Sequence, residues 1–532
     1  MSHGWIRQYP TGGSPEQRRP AGSPARPTKV TGRRQGLTRR SAWNAVRALL
    51  VLVLGGVTGW AGTGSAATAE LSARSPQPAL ALNGQVVVDP AHPQWLKYYN
   101  GGPFFMCGPG DPEDFLYRGT RNQDGTRDGD QAELIDKVAD AGANAIYLMA
   151  VRSHGGDGDT THNPFIDSDP SKGLDPDILA QWAGWFQAMD DEGILVFFIL
   201  YDDGSRIWNT GDSVGANERA FIQGLVGTFS GLKHLIWVVA EEYQERYTPT
   251  RVSNIAAEIR TADPNDHPIA VHKTIGLSFP EFADDPNIDQ FAIQYSSTSP
   301  DGFHSGIVSA WQSANGRYNL NMAEGHPDAF GDDARLRSWA TALGGSYVMH
   351  LRWDIAQTDI EDLRDCGRLV SFMESIPFQG MAPNDALALG ATEYVLADPG
   401  NAYIAYSPDR QGNMGLASIT AGQYSFKWLD IVSGTVVTQA DVSVQAGNQS
   451  WTSPSGMGSE VAVYLQRTGP LATLPGDLNQ DGQVDIVDVQ LCANAVLGLE
   501  NDPGILERAD INDDGQLDIL DVQSIVNLVL VG

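Results

Sequence analysis

Between residues 104 and 375 the chain switches repeatedly from short, continuous apolar runs to longer stretches whose apolar positions recur every three or four residues. The runs are 104–108 (FFMCG), 144–151 (NAIYLMAV), 194–201 (ILVFFILY), 235–240 (LIWVVA), 268–273 (PIAVHK), 290–295 (QFAIQY), 318–324 (YNLNMAE) and 346–353 (SYVMHLRW). Helical periodicity covers 130–141, 175–192, 217–229, 249–261, 303–315, 332–343 and 360–375, while 277–285 has room for a turn of helix at most. A strand that is apolar throughout has no solvent face, so it belongs to a parallel sheet covered on both sides. Eight such units predict an α/β fold, a closed (β/α)8 TIM barrel over 90–381. The runner-up, an open doubly wound sheet, would carry a Gly-rich phosphate loop after its first strand, and none is present.

The pattern changes after 381. Short strands with alternating polarity (EYVLA, AYIAYS, SFKWLD, EVAVYLQ) predict a small antiparallel β-sandwich over 382–468. A Pro-containing linker, 469–475, leads to an all-α segment over 476–532. At the other end, residues 1–47 hold ten basic residues and one acid, and an apolar run (48–57) and an A-x-A site (67–69) follow. This is a signal peptide with a basic leader over 1–69, followed by a linker over 70–89. The apolar run is too short to span a bilayer, so the expected product is soluble, secreted and free of the membrane.

The formal charge of the whole chain is −30, and without residues 1–69 it becomes −39. That balance excludes a nucleic-acid binder and disfavours anionic membrane surfaces. Three cysteines, Cys107, Cys366 and Cys492, show neither metal-ligand spacing nor disulfide density. Cys107 falls in the first barrel strand and Cys366 in the last barrel helix, neighbours in a closed barrel, so a bridge between them is open. Free buried thiols are the preferred reading.

The segment 476–532 repeats one loop. DLNQDGQVDIVD (477–488) and DINDDGQLDILD (510–521) start 33 residues apart. Each sets side-chain oxygens at positions 1, 3, 5, 9 and 12, with Gly at position 6, where the chain must turn sharply. Ca²⁺ takes roughly six to eight oxygens, and this spacing converges them on one ion. The candidate ligands are Asp477, Asn479, Asp481, Gln483, Asp485 and Asp488 in one loop, and Asp510, Asn512, Asp514, Gln516, Asp518 and Asp521 in the other. This duplicated half-hand, with Asp at position 12, resembles the type I dockerin. The resemblance implies two Ca²⁺ ions and a partner, the cohesin domain of a scaffold protein. It also implies that loop positions 10 and 11 select the cohesin; here they are Ile486–Val487 and Ile519–Leu520, all apolar. Dockerins usually ride on secreted enzymes that degrade polysaccharides.

In a barrel of this kind the active site lies at the carboxyl ends of the strands. Those ends are polar here: Arg152 after the second strand, Tyr201 after the third, Glu241–Glu242–Tyr243 after the fourth, His272 on the fifth, Tyr295 on the sixth, Glu324 and His326 on the seventh, Trp353 on the eighth. Retaining hydrolysis of a glycosidic bond needs one carboxyl to protonate the leaving oxygen and another to attack the anomeric carbon, about 5–5.5 Å apart. Strands four and seven face each other across the mouth, and Glu242 and Glu324 end them. This arrangement resembles the clan A retaining glycoside hydrolases, which implies Glu242 as acid/base and Glu324 as nucleophile. In that clan the strand-four segment commonly ends Asn–Glu–Pro; here it reads IWVVAEEY (236–243), which puts Glu241 at the Asn position and leaves open which of Glu241 and Glu242 is the acid. The clan pattern further implies a hydrogen bond from Tyr295 to the nucleophile, Arg152 holding it ionised, Trp353 stacked on a sugar ring, and His272 and His326 binding hydroxyls. Tyr201, Trp208 and Tyr243 complete the expected carbohydrate-binding mouth. The order NGGPFF…LIWVVAEE…MAE, with EYVLADPGNAYIAY after it, also resembles apiosidase-like barrels joined to a β-sandwich named for collagen binding. The expected function is a secreted glycoside hydrolase with no catalytic cofactor. The alternative is a non-catalytic carbohydrate-binding adaptor with a degenerate barrel.

Overall fold

The computed structural model describes residues 81–110, 115–351, 354–471, 474–480 and 482–531. The export signal read from 1–69, Trp353 and Asp481 lie outside the described residues. Eight parallel strands make one sheet: β1 (Cys107–Pro109), β2 (Ala145–Met149), β3 (Leu195–Ile199), β4 (Leu235–Val238), β5 (Ile269–Lys273), β6 (Gln290–Ser296), β7 (Asn319–His326) and β8 (Tyr347–Leu351). They are hydrogen-bonded in the order β1-β8-β7-β6-β5-β4-β3-β2, and a parallel bridge between Gly110 and Tyr147 joins the two ends. Gly108 permits that seam, because a Cβ there would sit 2.0 Å from the carbonyl oxygen of Ala145.

The strands are apolar because they are covered on both faces: residues 194–201 are no more than 1 % exposed. Seven helices cover the barrel: α1 (Gln131–Ala141), α2 (Pro176–Asp191), α3 (Ala216–Phe229), α4 (Pro249–Ala262), α5 (Pro300–Ala314), α6 (Asp332–Leu343) and α7 (Ile360–Glu374). Three of them start in the same way: Asp175, Thr248 and Ser299 accept a backbone N–H of the first turn, each just before a Pro that opens the helix. Between β5 and β6 the described chain makes only turns, so this unit of the eightfold repeat lacks its helix.

The expected sandwich is present as a six-stranded and a three-stranded antiparallel sheet. The central strands of the six-stranded sheet are buried on both faces, while its edge strand Val436–Val444 is largely exposed. Val395, Tyr403, Ala405 and Val463 pack in the sandwich's own core. Tyr394, Leu396, Ile404 and Tyr406, one residue out of phase, join the barrel core. Tyr406 stacks on Trp339 of α6 at 5.5 Å, Tyr394 on His304 of α5 at 3.9 Å, and Arg335 of α6 reaches Glu460 at 2.9 Å.

The free-thiol reading of Cys107 and Cys366 is corrected: the two form a disulfide, with Cα atoms 5.2 Å apart, and only Cys492 is a free cysteine. It fastens β1 to α7 across 259 residues of chain. A cross-link over so long a loop restricts the unfolded chain severely, so replacing both cysteines by Ser is expected to cost about 2–5 kcal/mol. Urea unfolding of the double variant against the parent checks this, and an unchanged midpoint would refute it.

The C-terminal segment has three helices, α8 (Ile486–Val496), α9 (Pro503–Ala509) and α10 (Ile519–Val531), around Leu478, Cys492, Ala495, Ala509 and Ile525. No helix among the described residues is long and apolar enough to cross a membrane.

Candidate active site

The mouth at the carboxyl ends of β2 to β7 gathers Tyr147, Asp202, Glu241, Glu242, His272, Gln294, Glu324 and His326. Glu324 enters it because of a slip in strand register. Ile293 pairs with Met322, but the next residue, Gln294, pairs with Glu324, so Ala323 is the extra residue of a bulge. The bulge sets Gln294, not Tyr295, beside Glu324. Tyr295 faces outward, its ring against Phe303 and 2.7 Å from where a Cβ on Gly306 of α5 would lie. The expected hydrogen bond from Tyr295 to the nucleophile is therefore corrected. Gln294 takes the inward place, and its Nε2 donates to Glu242 Oε1 at 2.6 Å.

Glu324 is 7 % exposed, and its Oε1 lies 2.8 Å from His326 Nε2. Burial pushes its carboxyl up, but the hydrogen bond from His326, the nearby His272 and the Gln294 amide outweigh this and hold it below the usual carboxylate range. His326 is raised in return, chiefly by that same bond. Glu242 is shifted the other way: burial and then the charge of Glu324 push it above its ordinary value. Glu242 also has a left-handed backbone, φ 34° and ψ 48°, which turns it off the line of β4. For a non-glycine residue this costs about 1–3 kcal/mol and is typical of functional positions.

His272 is completely buried, and burial lowers its pKa to about 4, so the ring is neutral at ordinary pH. The backbone N–H of Glu242 donates to its Nδ1 at 3.3 Å, so Nε2 carries the ring proton. That proton faces Glu324 Oε2 at 3.6 Å, too far for a hydrogen bond but close enough to favour the carboxylate. Glu241, His272 and Glu324 have ligating atoms within 4.8 Å of one another, which is metal-like spacing. The protonated Nε2 does not suit a metal ligand, so the trio works as a polar chain around Glu324.

Glu241 is half-buried beside Glu242. Its Oε1 is 3.4 Å from the Tyr147 hydroxyl, and its Oε2 is 3.4 Å from the backbone N–H of Asp203. Arg152, expected near the nucleophile, has its Nε 3.3 Å from Asp202 Oδ2. The positive neighbour of Glu324 is instead His326, with the neutral His272 turning its ring N–H toward the same carboxyl. Tyr201, expected in the mouth, is turned away from it: its hydroxyl donates to Glu218 Oε1 at 3.0 Å, under α3, where Glu218 also pairs with Arg251. Tyr243 is nearly buried and donates to Glu281 at 2.7 Å. Trp208 is half-buried against Phe165 and Phe221. Among the expected residues, Glu241, Glu242, His272, Glu324 and His326 come together, while Tyr201, Tyr243 and Tyr295 do not join them. Tyr147 and Gln294 were missed. Their signal was a polar group inside an otherwise apolar run.

In the C-terminal loops the two copies match bond for bond. Asp488 accepts the N–H groups of Leu478 and Asn479, and Asp521 those of Ile511 and Asn512. The Gly N–H at position 6 donates to the first Asp of each loop, Gly482 to Asp477 at 2.8 Å and Gly515 to Asp510 at 2.7 Å. Both glycines have positive φ, 83° and 78°, as the sharp turn requires. Every candidate side-chain donor is oxygen, which fits a hard cation. Ile486, Val487, Ile519 and Leu520 are all exposed, outside the small core.

Residues 475–530 match the family model of the dockerin type I domain, so the C-terminal segment is a dockerin, a type of domain that binds calcium. No curated protein matches the chain in sequence. Among solved structures, a glycoside hydrolase family 5 protein from Bacteroides vulgatus ATCC 8482 aligns at 15% identity over 73% of this chain and 94% of its own, with a TM-score of 0.54. A second, described as a glycoside hydrolase, aligns at 15% identity over 73% and 97%, with a TM-score of 0.52. At that identity the likeness is one of fold, the parallel eight-stranded barrel.

Proposed function

We propose that this protein is a secreted glycoside hydrolase that cleaves O-glycosidic bonds of a polysaccharide or oligosaccharide with retention, and is carried on a scaffold by its dockerin. Glu324 is the nucleophile and Glu242 the acid/base. The observation that carries this reading is the opposite bias of two carboxyls at the ends of β4 and β7: His326 at 2.8 Å helps hold Glu324 below the usual carboxylate range, while burial and then the charge of Glu324 raise Glu242 above it. Glu324 attacks the anomeric carbon while Glu242 gives its proton to the leaving oxygen. In the second step Glu242, now ionised, takes a proton from water as it attacks the glycosyl–enzyme. His326, His272 and Gln294 hold the nucleophile in place. The dockerin would hold two Ca²⁺ through the loops at 477–488 and 510–521, and the exposed pairs Ile486–Val487 and Ile519–Leu520 offer a cohesin an apolar surface.

The test begins with a panel of plant and algal polysaccharides, with the configuration of the first-formed product followed by NMR. Release of product with retained configuration is expected. Binding without turnover on every member, or inversion, would overturn the reading. The pH dependence has a defined sign. Activity needs Glu324 ionised, so kcat/KM should rise through a limb below the ordinary carboxylate range, where this group's pKa has been lowered. It needs Glu242 protonated, so kcat/KM should fall through a limb above that range. A profile without an alkaline limb would remove Glu242 from the acid role.

A further inference from the structure

The mouth holds two carboxyls more than a two-carboxyl reaction uses, Asp202 and Glu241, and their contacts indicate where a proton lies. The carboxyl oxygens of Glu241 lie within 4.8 Å of Asp202 and Asp203 on one side and within 4.8 Å of Glu324 on the other. Oε1 faces the Tyr147 hydroxyl and Oε2 the N–H of Asp203, both at 3.4 Å. The carboxyl oxygens of Glu241 and Asp202 thus stand side by side in a largely buried place. Two like charges so close and so poorly solvated oppose each other's ionisation, so one of the two is favoured neutral. Asp202 is 2 % exposed, has the Arg152 guanidinium at 3.3 Å and accepts the N–H of Asp157 at 3.0 Å. Burial raises Asp202 above its ordinary value, and the guanidinium beside it opposes that rise, a help Glu241 does not have. The cations of the mouth stand beside Asp202 and Glu324, which leaves Glu241 as the member of the pair that is neutral.

We propose that Glu241 holds the single proton of an Asp202–Glu241 pair and serves as a neutral positioning residue, not as the acid of the reaction. A proton shared with Asp202 is not available to a leaving group, whereas the Glu242 carboxyl, bonded through Oε1 to Gln294, keeps an oxygen for substrate. Neutrality also keeps a further negative charge from the side of Glu324, where it would drive that group toward its protonated, inert form. The pair joins the ends of β3 and β4, and Tyr147 adds β2, so it fixes the backbone from which Glu242 turns. This inference rests on Glu242 and Glu324 as the catalytic pair.

The test uses the full chain, an alkyl glycoside hydrolysed by the parent protein, and four variants: Glu241→Gln, Glu241→Ala, Glu242→Gln and Glu324→Gln. Gln retains the donor and acceptor of a neutral acid, so Glu241→Gln should lower kcat about threefold and Glu241→Ala about a hundredfold, with KM moving less in both. Difference infrared spectra of the parent against Glu241→Gln at neutral pH should show the C=O stretch of a protonated carboxyl. A difference containing only carboxylate bands, or a Glu241→Gln variant as inactive as Glu242→Gln, would overturn the proposal. Undiminished turnover by both Glu242→Gln and Glu324→Gln would instead bring down the parent reading, while the infrared band would still report where the proton lies.

Discussion

Glu324→Gln is expected to lower kcat/KM by at least about a thousandfold on every substrate the protein turns over, with the fold intact by circular dichroism. The reason is local. Gln cannot form the glycosyl–enzyme bond, and the two histidines around it lose the charge they are arranged to meet. Glu242→Gln should behave differently. An acid matters in proportion to how badly the departing oxygen needs a proton, so this variant should fail on natural linkages and on alkyl glycosides, by about a hundredfold or more, yet retain the first step on aryl glycosides with acidic phenols. Steady-state kinetics across a leaving-group series separates the two. If the Glu242→Gln losses were equal across the series, the acid would have to be sought elsewhere.

The second large effect concerns the dockerin. Each loop carries four aspartates at the candidate ligand positions, 477, 481, 485 and 488 in one and 510, 514, 518 and 521 in the other. Without a cation these repel, and the core they frame is small, with Leu478, Cys492, Ala495, Ala509 and Ile525 as its buried residues. A free Ca²⁺ concentration a hundredfold above Kd stabilises each site by about 2.7 kcal/mol, so saturating two should add about 5 kcal/mol. In calorimetry of the full chain, a chelator should move one transition down and abolish cohesin binding, while the transition of the barrel stays in place. A dockerin transition unmoved by chelator would refute the calcium reading.

Much of the barrel was legible because a strand buried on both faces must be apolar end to end, so each strand advertised itself. The same rule made the two glutamates visible: Glu242 and Glu324 stand where apolar runs stop. What the runs did not encode was which of two adjacent polar residues points inward. Tyr295 was expected beside the nucleophile from the clan pattern alone, and the bulge at Ala323 sets Gln294 there instead. Tyr201 was misplaced for a related reason. It ends an apolar run, yet its hydroxyl is claimed by a buried Glu218–Arg251 pair on the outer helices, a long-range contact with no local signature. The disulfide was hidden likewise, since cysteines 259 residues apart carry no spacing pattern. The dockerin was the opposite case: its ligand spacing lies within twelve consecutive residues, so sequence alone was enough to find it.

The six-stranded sheet that shares its apolar residues between two cores bears on how this chain can be cut and rebuilt. A boundary drawn after 381 looks natural on the strand pattern, but it would strip the cover from Trp339 and leave Arg335 without Glu460. The barrel freed in this way would present a flat apolar wall to water, a surface prone to self-association. The smallest portable unit is therefore the barrel together with its sandwich. The practical place to exchange the docking address for another is the linker at 469–475, beyond the last strand of the shared sheet.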